Sequence, residues 1–322
     1  MVYKAVIYFP GLCDQLNFTS EKFSSLEGMF PNVNFIYVKS EEEFYRECAD
    51  TDYIIALRIN ADIYQRAPKV KAIFTCMAGK EAIPISTGRE VKIYFGHFHG
   101  HLMSESLLAN ILYFNQQISL VIENQGNKNW GDHISLGKRH LLRDQKIAIL
   151  GYGEIGTLCA NLLSSLHPTI YAFQRSLSDG VCEKSGAIYK NISELKYYLP
   201  EVDHVVSILP DVKETDDLFN LKFFQKMKPS AYFYNMGRGN AVNETDLIQA
   251  LNQKAIAGAW LDVFKAEPLD KKSELWETEN LLMTPHTSAF YANYVDFYLE
   301  ELKGQLYQLN NISRCFLPAS QA

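Results

Sequence analysis

Residues 145–174 read QKIAILGYGEIGTLCANLLSSLHPTIYAFQ, and the way this stretch divides decides the fold. Ile147, Ala148, Ile149 and Leu150 form a continuous apolar run, which a strand covered on both sheet faces requires. A turn follows at once: Gly151-Tyr152-Gly153-Glu154-Ile155-Gly156. Behind it Ile155, Leu158, Leu162 and Leu166 recur at three and four residues, predicting a helix that buries one face. Pro168 closes that segment, and a second apolar run occupies 169–173. Strand, G-x-G-x-x-G, helix, strand is the dinucleotide-binding unit. Its glycines allow a tight turn, close approach of backbone to a diphosphate, and tight helix–strand packing. The helix N-terminus, with N–H groups that the helix itself leaves unpaired, suits that anion. Gly151, Tyr152, Gly153, Glu154, Ile155 and Gly156 are therefore expected at a cofactor. The competing reading is an α/β turn with no ligand.

The chain of 322 residues has room for two domains and a substantial core, and 47% hydrophobic with 21% charged residues is the balance of a globular protein. A formal net charge of -6 gives no electrostatic reason to expect a nucleic acid. The N-terminal MVYKAVIYFPG has too short an apolar run for a signal segment and reads as a first strand, and no run approaches a membrane span. Cys13, Cys48, Cys76, Cys159, Cys182 and Cys315 show no C-x-x-C spacing and read as buried thiols of a reducing cytoplasm.

Taken in order, apolar runs at 5–9, 35–38, 53–57 and 72–75 alternate with helix-compatible stretches such as 40–49, the rhythm of parallel strands with crossover helices. After the fourth run comes Met77-Ala78-Gly79-Lys80, a small loop whose N–H groups suit an anion, or else an ordinary turn. Gly96-His97-Phe98-His99-Gly100-His101 invites a metal, but no carboxylate or cysteine cluster lies near it in sequence, and no metal is expected. These histidines are read as alternating on a strand beside a cleft. Met103, Leu107, Ile111, Phe114 and Ile118 mark one long helix, and 124–143 reads as a loop anchored by Trp130. Beyond the nucleotide unit, strands are expected at 205–209, 232–235, 258–261 and 281–284. Helices are expected at 192–199, 217–227 and 244–251, and a C-terminal helix marked by Tyr294, Tyr298, Leu302, Leu306 and Leu309 packs back on the first domain. The fold class is thus α/β, with two Rossmann-like domains built on parallel sheets. The nucleotide-binding domain (104–289) is inserted into a flavodoxin-like substrate domain (1–103 and 290–322).

Arg238, Glu267 and His286 stand just beyond the carboxyl ends of three successive strands, the sheet edge where ligands bind in an open α/β fold. An arginine between two glycines has little to pack against, and a histidine within Thr284-Pro285-His286-Thr287-Ser288 is not on an apolar helical face.

Gly151 to Gly156, Asn235-Met236-Gly237-Arg238-Gly239, Leu261-Asp262-Val263-Phe264-Lys265-Ala266-Glu267-Pro268 and Thr284-Pro285-His286, in this order and spacing, resemble the motif set of the D-isomer-specific 2-hydroxyacid dehydrogenases. In layout, Leu275-Trp276 included, the chain is most similar to the glyoxylate/hydroxypyruvate reductase branch. The resemblance implies that Arg238 binds the substrate carboxylate and carbonyl, that His286 is the acid/base, and that Glu267 partners it. It also implies that the backbone of Ala78 and Gly79 holds the carboxylate's other side and that Asp262 accepts from the nicotinamide carboxamide. Leu209 and Pro210, at the end of their strand, are expected beside the cofactor. The chemistry agrees. Carbonyl reduction needs a proton at oxygen, a carboxylate favours the imidazolium that supplies it, and a guanidinium fork fits a planar carboxylate.

Gln174-Arg175-Ser176, at the end of the second strand, is where an NAD site places an acidic residue for the ribose hydroxyls. A neutral Gln174 with Arg175 and Ser176 predicts NADP (NADPH) as the preferred cofactor, with NAD as the second. The expected activity is reduction of a small 2-keto acid to the D-2-hydroxy acid by a homodimer. The alternatives are a dehydrogenase of a larger keto acid and a nucleotide-sensing, corepressor-like binding protein on the same fold. Formate dehydrogenase is disfavoured because that family pairs its histidine with glutamine, and phosphoglycerate dehydrogenase because the chain ends at Ala322 without a regulatory domain. Arg58, Met77, His97, His99 and His101 are pocket candidates without assigned roles.

Overall fold

The computed structural model describes residues 2–10, 16, 18–79, 83, 88, 90–130, 139–175 and 179–309. The chain forms two compact units, Met1–His99 with Phe290–Ala322, and Gly100–Ala289. In the first, β1 (Tyr3–Tyr8), β2 (Val33–Tyr37), β3 (Tyr53–Ala56), β4 (Ala72–Phe74) and β5 (Lys92–Tyr94) make a parallel sheet of order β2-β1-β3-β4-β5, the flavodoxin-like arrangement. β3 and β4 are wholly buried, as their unbroken apolar sequences require. Thr19 and Ser40 accept from the Lys22 and Glu43 N–H groups and so start the helices Ser20–Met29 and Glu41–Cys48. The helix Tyr294–Leu309 buries Tyr294, Tyr298, Leu302 and Leu306, with the Tyr298 ring 5.9 Å from Phe9 and 6.2 Å from Phe18. Its apolar face thereby returns the C-terminal part of the chain to the first unit.

The second unit holds β6 (Lys146–Leu150), β7 (Thr169–Gln174), β8 (Gly180–Val181), β9 (Ile188–Asn191), β10 (His204–Ser207), β11 (Tyr232–Asn235), β12 (Gly258–Leu261) and β13 (Leu281–Met283). They lie in the order β13-β12-β11-β10-β6-β7-β9-β8, all parallel except β8. Leaving β8 aside, this is the doubly wound 3-2-1-4-5-6 order with one further strand, and its switch point falls between β6 and β10. Ala148, Leu150, Phe173, Val205, Phe233, Ala259 and Leu261 share one core beneath the sheet.

Several local expectations are corrected. His99 and His101 are on no strand. They open the helix His99–Asn115, and the N–H groups of His97 and Phe98 just before it donate to the Glu301 carboxylate at 2.9 to 3.0 Å. Among the described residues no group of His, Cys, Asp and Glu is placed to hold a metal ion. The single long helix is two: Gln117 takes φ 52, and Ile118–Gly126 begins anew. Trp130 is 92% exposed, so it is not the buried anchor expected of it. The 217–227 stretch is helical only at Leu221–Phe224, and β5, β8 and β9 are strands without a counterpart among the apolar runs. Cys48, Cys76 and Cys159 are buried thiols, but Cys182 is half-buried, while Cys13 and Cys315 lie outside the described residues. Among the described residues no helix is long and apolar enough to cross a membrane.

Away from the carboxyl edge, His204 at the start of β10 bonds Tyr234 Oη through Nδ1 (2.9 Å) and Gln145 Oε1 through Nε2 (3.0 Å). Burial pushes this imidazole down to about 3, so it stays neutral and is a core residue.

Candidate active site

Parallel strands deliver their following loops to one edge, so the sheet order is also the order of the site. Along that edge come the loops after β13 (His286), β12 (Asp262 and Glu267), β11 (Arg238), β10 (Leu209 and Pro210), β6 (the glycine turn) and β7 (Gln174 and Arg175).

Gly151 has φ +97, and a Cβ there would lie 2.4 Å from the Ile208 carbonyl oxygen, so only glycine fits. A Cβ on Gly156 would lie 2.4 Å from the Gly151 oxygen, which fixes how closely the helix Glu154–Leu163 approaches the turn. Gly153, the N-cap of that helix, differs from both: nothing lies within 4 Å of where its Cβ would be. The space a side chain would fill is open at the positive end of a ten-residue helix, and the residues present therefore fit a diphosphate. Glu154 is exposed beside this opening, Ile155 is partly covered, and Tyr152 is buried, being 7% exposed. Gln174 is partly buried at the end of β7, and Arg175 is exposed with no carboxylate partner among the described residues. Ser176 lies outside the described residues.

The two glycines around Arg238 have a steric origin. A Cβ on Gly237 would lie 2.6 Å from the Leu209 N and O atoms, and one on Gly239 would lie 2.0 Å from the Phe264 carbonyl. The Arg238 turn is thus wedged between the loops after β10 and β12. Asn235, buried at the end of β11, clasps it: Nδ2 donates to the Arg238 carbonyl at 3.0 Å and Oδ1 accepts from the Gly237 N–H at 3.3 Å. Arg238 Nη1 donates to the Gly237 carbonyl at 2.8 Å.

Glu267 and His286 form a direct pair, with Oε2 2.9 Å from Nδ1. The other carboxylate oxygen accepts from the Phe264 N–H at 2.9 Å, so the carboxylate is held from both ends. Fixing Nδ1 on a carboxylate leaves Nε2 as the ring atom that can exchange a proton with a ligand. The histidine backbone is itself unusual, with φ 55 in the left-handed region that side chains avoid. It is held there by its N–H, which donates to the Asp262 carbonyl (2.7 Å) and the Thr284 carbonyl (2.9 Å).

Asp262 explains the rest of that loop. Its carboxylate, 1% exposed, accepts from the Thr284 hydroxyl, the Thr287 N–H at 2.9 Å and the Ser288 N–H at 3.0 Å. The acceptor expected to face a carboxamide is thus engaged by the loop that carries His286. Asn235 and Thr284, each the first residue of a quoted motif, are supports to which the sequence alone assigns no role; their signal is a polar residue closing an apolar strand. Ala78, exposed, and Gly79 follow β4 in the first unit, where the Met77 N–H donates to Thr75 Oγ1 at 3.0 Å.

This strand order, with a glycine turn at the switch point and a hydrogen-bonded histidine–carboxylate pair on the same sheet edge as an arginine, is that of a dinucleotide-binding α/β protein. Residues 108–288 match the model of the D-isomer specific 2-hydroxyacid dehydrogenase NAD binding domain. Over 265 residues, 78% of this chain and 76% of the relative, the sequence is 31% identical to a glyoxylate reductase of Thermofilum pendens (strain DSM 2475 / Hrk 5). It is 32% identical over 236 residues, 71% of each chain, to glyoxylate/hydroxypyruvate reductase B of Escherichia coli (strain K12 / DH10B). A D-isomer specific 2-hydroxyacid dehydrogenase family protein from Aeromonas salmonicida subsp. salmonicida A449 superposes with a TM-score of 0.80 at 26% identity, over 97% of both chains. The chain belongs to the D-isomer specific 2-hydroxyacid dehydrogenase family.

Proposed function

We propose that the protein reduces a small 2-keto acid of the glyoxylate or hydroxypyruvate kind to the D-2-hydroxy acid, using NAD(P)H with NADPH preferred. The observation that carries this reading is the His286–Glu267 pair, 2.9 Å apart on the same sheet edge as Arg238. The reduced nicotinamide, when bound, supplies a hydride to the carbonyl carbon. His286 delivers a proton from Nε2 to the carbonyl oxygen, and Glu267 stabilises the charged imidazole and holds its Nδ1–H. Arg238 takes the substrate carboxylate in its fork and draws electron density from the carbonyl. The N–H groups of Ala78 and Gly79 are proposed as further donors to a carboxylate. Gly151, Gly153, Glu154, Ile155 and Gly156 line the diphosphate position, and Leu209 and Pro210 flank the cofactor. Asp262 acts on the nicotinamide side with what acceptor capacity the His286 loop leaves it.

Gln174 and Arg175, with Ser176, set the cofactor preference. Without an acidic residue there is no repulsion of a 2′-phosphate, and charge-assisted bonds from Arg175 are worth about 1.5 to 3 kcal/mol. Measured kcat/KM is therefore expected to favour NADPH over NADH by about tenfold or more. Arg175→Ala should erode the NADPH value while nearly sparing NADH, and Gln174→Asp should reverse the preference. Wild-type protein that uses NADH as well as NADPH would refute this assignment.

A homodimer joined through the second unit is part of the proposal. Ile118, Ile122, Trp130 and Leu141 are exposed on neighbouring stretches of sequence, and no residue of the helix Ile118–Gly126 is buried within the chain. A cytoplasmic location fits the free thiols of Cys48, Cys76, Cys159 and Cys182.

A further inference from the structure

Tyr152 stands between Gly151 and Gly153 of the glycine turn, yet its side chain is buried, whereas the space beside Gly153 is open. Its hydroxyl is 3.1 Å from Ser185 Oγ, and its ring meets the Tyr189 ring at 5.6 Å and 63°. Both partners belong to the hairpin that β8 and β9 form. The connection between those strands is closed by the Cys182 N–H on the Ala187 carbonyl and the Gly186 N–H on the Cys182 carbonyl, each at 2.8 Å. Ser185 is buried within it and its Oγ also accepts from the Ala187 N–H at 3.3 Å, which fixes the hydroxyl relative to the hairpin backbone. β9 continues the parallel order beside β7, and β8 turns back on it antiparallel. Through Ser185 and Tyr189 the hairpin lies against Tyr152 of the glycine turn.

We propose that Tyr152 is a positioning residue: its phenol ties the glycine turn to the β8–β9 hairpin through Ser185, and so holds the turn open for the diphosphate before the cofactor arrives. This rests on the dinucleotide reading of the glycine turn given above. A turn with glycine at both flanks is otherwise free to sample many backbone states, and ordering it on binding subtracts from affinity. Tying its middle residue to a hydrogen-bonded hairpin removes that cost. The same cluster acts on Cys182, whose thiol is drawn down to about 6, chiefly by the Ser185 hydroxyl and against the effect of its partial burial. Three hydroxyl groups, from Tyr152, Ser185 and Tyr189, thus converge on one point of the hairpin.

The test is direct binding of NADPH and NADH, followed by cofactor fluorescence, to wild-type protein, Tyr152→Phe, Ser185→Ala and the double variant. Loss of one buried hydrogen bond is expected to raise Kd about three- to tenfold. The diphosphate is common to both cofactors, so NADPH and NADH should weaken by the same factor, unlike the effect of Arg175→Ala. The double variant should bind no worse than Tyr152→Phe alone, because removing the phenol already breaks every hydrogen bond it makes to the hairpin. Tyr152→Phe keeps the ring on Tyr189 and guards against misfolding, and thermal unfolding of each variant separates loss of fold from loss of positioning. Unchanged Kd values in both single variants, or a lowered Tm without a change in Kd, would overturn the proposal, as would factors that multiply in the double variant. Wild-type protein that binds neither dinucleotide would instead overturn the functional reading on which it rests.

Discussion

His286→Ala is expected to lower kcat for 2-keto acid reduction about a hundredfold or more, the scale of lost general acid catalysis, with cofactor affinity nearly intact. The size of the effect follows from how much of the fold is committed to this one ring. The buried Asp262 carboxylate gathers Thr284, Thr287 and Ser288, the backbone is held at φ 55 by two carbonyl acceptors, and Glu267 holds Nδ1. Alanine removes the proton donor but leaves those backbone bonds in place, so the loss should appear in kcat rather than in folding. Steady-state kinetics with saturating cofactor decides this. Turnover near the wild-type value would remove His286 from the mechanism.

Arg238→Lys should cost about tenfold to a hundredfold in kcat/KM for a 2-keto acid although the charge is kept, because a point ammonium cannot reproduce two parallel bonds to a carboxylate. The backbone of this turn is set by Gly237 against Leu209, Gly239 against Phe264, and Asn235 clasping both sides, none of which depends on the arginine side chain. A neutral aldehyde without the carboxylate should feel the substitution much less. Equal losses on the two substrates would mean that Arg238 serves the turn and not the substrate.

The elements that the sequence made legible are those whose residues answer to a single demand. A strand covered on both faces can only be apolar, so β3, β4, β6, β11 and β12 stand out as runs, and the turn after β6 needs glycine at 151 for its φ and at 156 for its close contact. Elements at or next to a sheet edge answer to several demands at once. β5 and β9 are partly exposed and carry Lys92, Lys190 and Asn191, which leaves no periodic signal, and β8 is two residues long. Gly96-His97-Phe98-His99-Gly100-His101 has the alternation of a strand but forms a helix start, because the Glu301 carboxylate from a distant helix satisfies the N–H groups before it. Contacts of that range leave no trace in local pattern.

At the candidate site, the places of Arg238, Glu267 and His286 after successive strands are legible in the sequence, and the structure puts all three on one sheet edge. Their supports are not legible there. Nothing in the spacing of Asp262 and Ser288 says that one carboxylate spans 26 positions to hold the histidine loop, or that Tyr152 turns inward onto Ser185.

The central claim is tested most directly by incubating the wild-type protein with NADPH and hydroxypyruvate, following loss of the reduced nicotinamide, and determining the configuration of the glycerate formed. Steady turnover with D-glycerate as the product is the predicted result. Tight binding of NADPH with no turnover across glyoxylate, hydroxypyruvate and larger 2-keto acids would contradict it and indicate a nucleotide-sensing protein on this fold, and formation of the L-acid would contradict the assigned stereochemistry.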